Sequence, residues 1–345
     1  MITATTTPRQ LEPPRWQSEM ASAFASLPEL AKALDLSLRE IGVVDASPFR
    51  LRVPASFVRR MRRGDPRDPL LLQVLPTALE NVDFADYGSD PVGERAAMRA
   101  PGLLKKYEGR ALLITTSACA VHCRYCFRRE FPYSEHQSDA HRWSEALEEI
   151  ERDSSIEEVI LSGGDPLSLS DSRLTRLTEA LARVSHVRRL RIHTRQPIVL
   201  PSRVDEGLCT WLKSLRLPTV MVLHSNHPNE IDDEVRDACA KLRGTGITLL
   251  NQSVLLRDVN DNPDVLVELS HRLFEAGVLP YYLHVLDRVR GAAHFDVPDE
   301  TAQLIAGQLA VRLPGYLVPR LVREIHGAPA KVALTPSFPR ESSAN

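Results

Sequence analysis

The sequence predicts an α/β fold, in which a partial barrel of the (β/α)6 type follows a mostly helical N-terminal extension. From residue 110 onward, short apolar runs alternate with helical patterns, and this alternation predicts βαβ units and a parallel sheet. Polar and glycine residues fall directly after the predicted strands, where barrels of this kind carry their active sites. The predicted boundaries are 1–105 for the extension, 106–330 for the barrel and 331–345 for a C-terminal segment.

The extension is predicted from the spacing of its apolar residues. They recur at helical intervals over residues 16–41, which predicts helices there. A further helix is predicted over 55–63, and 70–80 is predicted to form a short helix or an extended arm. Residues 83–104 are polar and are predicted to be irregular. Five arginines between 59 and 67 form either a solvated helix face or a contact surface for an acidic partner.

The barrel is predicted to begin with a buried strand over 110–116, an apolar run. Each later helical pattern is followed by another apolar run, and we expect these to be the helices and strands of a parallel sheet. The predicted helices are 143–153, 171–184, 204–214, 230–243, 262–276 and 298–310, and the predicted later strands are 157–162, 188–194, 218–224, 246–252, 280–286 and 315–323.

Composition and charge argue against several classes of protein. The 345 residues carry a net charge of −2, which gives no overall attraction to nucleic acid or to an anionic membrane. No apolar run is long enough to predict a membrane span, and the N-terminus lacks the basic start and apolar region of a signal peptide. Five cysteines, three of them clustered, suit a reducing cytoplasm better than a disulfide framework.

Three cysteines, Cys119, Cys123 and Cys126, follow the first predicted barrel strand with the spacing C-x3-C-x2-C. Close runs of cysteine thiolates typically hold iron–sulfur clusters. Three ligands leave one iron of a four-iron cluster without a protein ligand, and a small molecule can chelate that iron. Two alternatives stay open: a zinc site completed by His122, or core thiols without a metal.

A glycine turn, Gly163-Gly164-Asp165, closes the next predicted strand. Alone, it is equally a tight turn in which Asp165 caps the following helix, because two glycines allow close backbone approach or positive φ. Beside the cysteine motif, with Tyr125 just before the last cysteine, the sequence resembles the radical S-adenosylmethionine enzymes. This resemblance implies a [4Fe–4S] cluster on the three cysteines and S-adenosylmethionine held by Gly163, Gly164 and Asp165.

Longer motifs, which lie at 223–230, 250–257 and 280–283, resemble those of the lysine 2,3-aminomutase family. The resemblance extends over roughly residues 50–335. It implies an enzyme that moves an amino group between neighbouring carbons and uses pyridoxal phosphate besides the cluster and S-adenosylmethionine. By its position, Lys331 is implied as the lysine that forms the Schiff base with pyridoxal phosphate. One departure is that only one glycine and one proline stand where the family often has a glycine run.

The same resemblance implies roles for residues in the other motifs. Tyr107 and Arg110, with Lys106 beside them, match the positions that bind the cofactor phosphate, and His224 and Gln252 match further cofactor contacts. For the substrate, an α-carboxylate requires a bidentate arginine, and a remote ammonium requires carboxylates. The implied substrate-binding residues are Arg128 for the carboxylate, and Asp287 and Glu324 for the ammonium, Glu324 standing where the family has an aspartate.

The resemblance therefore implies an isomerase that converts L-lysine to (R)-β-lysine. The acidic residues at 287 and 324 favour L-lysine over glutamate as the substrate. The short segment after Lys331 resembles the branch whose product modifies a lysine of translation elongation factor P, and a reducing electron donor is implied as a partner. Two alternatives stay open: a radical enzyme that acts on another amino acid, and a cluster protein that binds or regulates without turnover.

Overall fold

The architecture is that of a computed structural model, which describes residues 14–41, 49–133 and 140–338. Its centre is one sheet whose spatial strand order follows the chain order, from β1 to β10. The strands are β1 (Met98–Ala100), β2 (Leu103–Tyr107), β3 (Arg110–Thr116), β4 (Glu158–Gly163), β5 (Arg189–Thr194), β6 (Thr219–His224), β7 (Thr248–Val254), β8 (Leu279–His284), β9 (Arg320–Arg323) and β10 (Val332–Ala333).

Helices pack against this sheet, and their buried side chains share one apolar core with those of the strands. In the described part of the chain, the α-helices are α1 (Arg15–Ala21), α2 (Leu27–Ala33), α3 (Ala55–Val58), α4 (Pro69–Leu72), α5 (Ala140–Arg152), α6 (Asp171–Leu181), α7 (Gln196–Val199), α8 (Glu206–Ser214), α9 (Asp233–Arg243), α10 (Pro263–Glu275) and α11 (Asp299–Arg312). Among the described residues, no helix is both long and apolar enough to cross a membrane.

Strands β3 to β9 run parallel in six successive pairs, and a helix of nine or more residues lies in each crossover. Asp205, Asp232 and Asn262 begin three of these helices, since their side chains accept hydrogen bonds from first-turn N–H groups. The sheet does not close, because its two ends are β1 and β10. Six βα units followed by a seventh parallel strand confirm the predicted partial (β/α)6 barrel.

Several predicted segments differ from the structure. The helix predicted over 55–63 is shorter, since α3 ends at Val58. The polar segment 83–104, predicted to be irregular, contains β1 and the start of β2, and β2 pairs antiparallel with β3. These strands are too short and too charged to give an alternating pattern, and the neighbouring β3 stabilises them. The predicted strand 315–323 is shorter, because residues 315–317 form a 3-10 turn before β9 begins at Arg320.

The extension has an apolar core of its own, and the cysteine loop takes part in it. Trp16 and Phe57 lie in this core, which also contains Ala120 and Val121 from the loop between Cys119 and Cys123. A larger core fills the space between the sheet and its helices. The cysteine loop is therefore packed between the extension and the barrel, which fixes its position at the end of β3.

Candidate active site

A cavity of about 700 Å³ lies at the carboxyl ends of the parallel strands. This is the end at which barrels of this kind carry their chemistry. Every site residue predicted from the sequence lines it: Tyr107, Arg110, Cys119, Cys123, Cys126, Arg128, Gly163, Gly164, Asp165, His224, Gln252, Asp287, Glu324 and Lys331. The fold thus brings together residues that are more than 220 positions apart in the chain.

The three thiols of the cysteine loop face the same cavity. Burial raises the pKa of Cys119, and burial together with Cys123 raises the pKa of Cys126 to about 11. Three thiolates at this place would repel one another, so a positively charged centre is needed to hold them deprotonated. The donor set therefore fits an iron–sulfur cluster, which binds through thiolates.

The zinc alternative receives no support from His122. Its Nδ1 lies 2.8 Å from the carbonyl oxygen of Arg50, and its ring stacks on Phe49 with centroids 5.1 Å apart. Within residues 14–41, 49–133 and 140–338, no group of three His, Cys, Asp or Glu side chains is arranged for a single metal ion. A four-iron cluster is wider than one ion, so its ligands need not converge on a point.

The glycine turn packs directly on the start of the cysteine loop. The N–H of Gly164 donates to the Thr116 carbonyl at 2.7 Å, and the N–H of Asp165 donates to the Ala118 carbonyl at 2.8 Å. A Cβ on Gly164 would lie 2.4 Å from the Ala118 oxygen, so only glycine permits this approach. The turn thereby leaves bare backbone beside the thiols, as a site for a ligand close to the cluster requires.

The Asp165 carboxylate is already hydrogen-bonded to other groups of the protein. It accepts hydrogen bonds from the backbone N–H groups of Leu167, Arg195 and Gln196 and from the Thr194 hydroxyl, at 2.7 to 3.1 Å. Asp165 therefore acts as a cap, but of the short 3-10 turn Pro166–Ser168 and not of the predicted helix, since α6 has Ser170 at its N-cap. Its predicted contact with S-adenosylmethionine stays a prediction.

Arg128 is held in a buried ion pair with Glu94, a residue of the extension. Its Nε donates to Glu94 at 2.8 Å and its Nη2 at 2.5 Å, while its Nη1 donates to Ser162 and to the Gly163 carbonyl. Both side chains are at most 6% exposed. Of the five guanidinium N–H groups, four are used within the described residues, so a substrate carboxylate would bind bidentately only after Nη1 gives up a bond.

Glu324 is the point where several predicted residues meet. Its carboxylate accepts hydrogen bonds from Tyr107 at 2.6 Å and from Lys106 at 3.1 Å, and it pairs with the Lys331 ammonium. Burial raises the pKa of Glu324, but Lys331 and Lys106 outweigh it and lower that pKa to about 2. Glu324 is therefore ionised at neutral pH. Its hydrogen bonds join the end of β9, which it directly follows, to Lys106 and Tyr107 at the end of β2.

Asp287 is a second carboxylate in the cavity wall. Burial, and then the charge of Glu324, raise its pKa to about 7, against the lowering effect of Lys331 and Lys106. A carboxyl group with this pKa changes charge near neutrality, so a cation bound next to it would favour the ionised form. The two acids thus differ in their resting state: Glu324 is paired, and Asp287 is poised to receive a positive charge.

The residues predicted to bind pyridoxal phosphate line the same cavity. The Arg110 guanidinium stacks over the Tyr107 ring at 4.9 Å, and its buried Nε has no hydrogen-bond partner in the described structure. His224 and Gln252 face each other in register on β6 and β7. Burial lowers the pKa of His224, so its imidazole is neutral, and its Nε2 lies 2.9 Å from the Tyr125 hydroxyl. An unpaired buried donor beside a tyrosine and Lys106 fits a phosphate group.

Three charged residues that contact the cysteine loop were not found from the sequence. Glu80 and Glu94 belong to the extension and pair with arginines of the cysteine loop. Arg195, just after β5, contacts Cys123 and Tyr125. No local pattern marks the two glutamates, since their partners lie more than 30 positions away. Arg195 could have been found from the sequence, because it directly follows the end of a predicted strand.

Comparison with known proteins agrees with this geometry. Residues 113–269 match the family model of the Radical SAM superfamily. The chain is 48% identical over 322 residues to the L-lysine 2,3-aminomutase of Escherichia coli (strain K12), covering 92% of this chain and 94% of that protein. The protein of that name from Haemophilus influenzae is 46% identical, with coverages of 93% and 95%. That from Clostridium subterminale is 35% identical, with coverages of 94% and 78%.

Proposed function

Because this chain belongs to the lysine 2,3-aminomutase family of radical S-adenosylmethionine enzymes, we propose that it moves the α-amino group of L-lysine to the β-carbon and forms (R)-β-lysine. Its family makes it an isomerase with a [4Fe–4S] cluster and S-adenosylmethionine as cofactors. Pyridoxal phosphate is the third cofactor of the proposal. The main support for this proposal is a single cavity that is lined by Lys331, by the two acids Asp287 and Glu324, and by the three cysteine thiols.

Each proposed cofactor has residues that fit it. Cys119, Cys123 and Cys126 would hold the cluster, and the bare backbone of the glycine turn would lie against S-adenosylmethionine. Lys331 would hold pyridoxal phosphate through its Nζ, with Arg110 and Tyr107 near the phosphate. Together, when bound, these groups supply a one-electron reduction, a radical able to remove a hydrogen atom, and an electron-withdrawing ring on the substrate nitrogen.

The charges of the cavity select the substrate in this proposal. Asp287 and Glu324 would bind the ε-ammonium of L-lysine, and Arg128 would bind its α-carboxylate by a charge-assisted hydrogen bond. A glutamate side chain would instead bring a third carboxylate next to these two acids, at a cost from like-charge repulsion. The two acids therefore favour L-lysine among the amino acids that fit the cavity.

The buried walls of the cavity would place the substrate and exclude water. Leu104, Ala111 and Ile160 line it with apolar atoms, and Tyr281 and Tyr282 add two aromatic rings with centroids 3.8 Å apart. A reactive radical needs such a wall, because contact with solvent opens side reactions. In this proposal the protein orients L-lysine between Arg128 and the two acids. The reacting carbon would then lie near the glycine turn.

The test is an anaerobic assay of the reconstituted protein with dithionite, S-adenosylmethionine, pyridoxal phosphate and isotopically labelled L-lysine. We expect labelled β-lysine of R configuration by chiral chromatography, together with 5′-deoxyadenosine. Lys331→Ala should lose both the product and the absorbance of bound pyridoxal phosphate, whereas Lys241→Ala, a matched lysine at the end of α9, should keep both.

The remaining outcomes separate the alternatives. Release of 5′-deoxyadenosine without β-lysine would point to another amino acid as substrate. An intact cluster that yields neither 5′-deoxyadenosine nor β-lysine would favour a binding or regulatory protein, and would contradict the proposed activity. The use of the product for elongation factor P and the identity of the electron donor stay predictions from the sequence resemblance.

A further inference from the structure

Arg195 is a buried arginine that the proposed chemistry does not yet use. It follows β5 directly and is 7% exposed. Its backbone N–H donates to Asp165 at 2.7 Å, which fixes the residue beside the glycine turn. Its guanidinium therefore lies at the carboxyl end of the sheet, next to the cysteine loop.

The guanidinium bridges the cysteine loop and two other parts of the molecule. Nη1 donates to the Cys123 sulfur at 2.7 Å and to the Tyr125 hydroxyl at 2.6 Å. Nη2 donates to Gln73 of the extension at 2.7 Å and to Glu230 at 3.0 Å. A cation is thus directed at a sulfur that the cluster would use as a ligand, and its orientation is fixed from the opposite side.

Arginine keeps its charge in such a place, because a guanidinium is not deprotonated in proteins. The rings of Phe57 and Tyr125 lie 5.4 and 5.7 Å from the guanidinium carbon, which adds cation–π attraction. Glu230 is fully buried and balances part of the positive charge. Arg195 and its counter-ion Glu230 therefore both contribute to the local field at the Cys123 sulfur, and Arg195 is the one that hydrogen-bonds it.

We propose that Arg195 is a positioning residue that sets the reduction potential of the cluster through its hydrogen bond to the Cys123 sulfur. The inference rests on the cluster that the proposed function requires. Hydrogen bonds to cluster sulfurs and the net charge around them determine such potentials. Reduction adds one negative charge to the cluster, and a nearby cation stabilises the reduced form, so Arg195 raises the potential and Glu230 partly offsets that rise.

The test is an electrochemical titration of the reconstituted full-length protein, followed by the electron paramagnetic resonance signal of the reduced cluster. Arg195→Met should shift the midpoint potential to a lower value, and Arg195→Lys, which keeps the charge, should restore most of the difference. Glu230→Gln should shift the potential the opposite way, to a higher value. A role limited to packing would not produce shifts of opposite sign.

Arg203→Met is the matched control. Arg203 is also fully buried, but it donates to Asp171 and to the Leu167 carbonyl, both at 2.7 Å, away from the thiols. Its substitution should leave the potential unchanged. The proposal is overturned if Arg195→Met carries a cluster of wild-type potential, or if both Arg195→Met and Glu230→Gln lose the cluster, which would show a structural role.

Failure of this inference is distinguishable from failure of the proposed function. A wild-type protein that forms no cluster, or forms one without β-lysine production, would count against the proposed function itself. A wild-type protein that makes β-lysine, with variants of unchanged potential, would count against Arg195 alone.

Discussion

Neutralising Glu94 should destabilise the protein strongly, because it is the counter-ion of a buried arginine. The Glu94 and Arg128 side chains are 5% and 6% exposed, and two hydrogen bonds join them. Removing one partner of a buried ion pair costs about 3–5 kcal/mol, since the other charge is left uncompensated. Glu94→Gln keeps the shape and one acceptor oxygen, so we expect a loss of about 3 kcal/mol, at the lower end of that range.

The measurement is the free energy of unfolding from equilibrium urea denaturation of the cofactor-free protein, wild type against variant. Glu158→Gln is a matched control, because Glu158 also receives two hydrogen bonds from one arginine, Arg191, but these side chains are 12% and 15% exposed. Solvent screens the Glu158–Arg191 pair more strongly, so Glu158→Gln should reduce the free energy of unfolding by less than Glu94→Gln does. A cost below about 1 kcal/mol for Glu94→Gln, or equal costs for both variants, would refute the reasoning from burial.

Three further outcomes are expected. Glu324→Gln should lower kcat/KM for L-lysine about 10- to 100-fold, because a hydrogen bond to a charged group contributes about 1.5–3 kcal/mol; unchanged steady-state kinetics would contradict its role. The kcat/KM for L-lysine should rise as pH increases through about 7, since Asp287 is neutral below its pKa of about 7 and negative above it; Asp287→Asn should flatten this part of the pH profile. Cys126→Ser should lose bound iron and its visible absorbance, whereas Cys209→Ser, on α8 and outside the cavity, should keep both; equal iron contents would argue against the cluster ligands.

The barrel was predictable because its signals are local. The strand 110–116 was predicted with the bounds that β3 has in the structure, since its apolar run is flanked by a glycine and a polar loop. Parallel strands buried on both faces give such continuous apolar runs. The β1–β2 hairpin was missed for the opposite reason. Its residues alternate weakly and carry charges, and only their pairing with β3 makes them strands.

The cavity lining was predictable as far as it consists of strand ends and motifs. The sequence did not show which of these side chains are already paired with other residues of the protein. Arg128 was predicted as a receptor for a carboxylate, and the structure shows it already paired with Glu94. Glu324 was predicted beside an ammonium, and it pairs with Lys106 and Lys331. Such pairings depend on contacts between residues distant in the chain, which no local pattern encodes.

The electrostatics of the cysteine loop explain why the extension and the barrel depend on each other. Arg124, Arg128 and Arg129 lie within or next to the run of cysteines, and each is almost fully buried. Burying three like charges side by side is unfavourable unless carboxylates are buried with them. Among the described residues, the carboxylates that pair with these arginines are Glu80 and Glu94, which come from the extension. A boundary near residue 105 stays a prediction from sequence patterns, but the charges that hold the loop cross it. The extension therefore supplies the counter-ions of the cysteine loop. A substitution of Glu80 or Glu94 is expected to affect the cysteines through the arginines, without a direct contact to any cysteine.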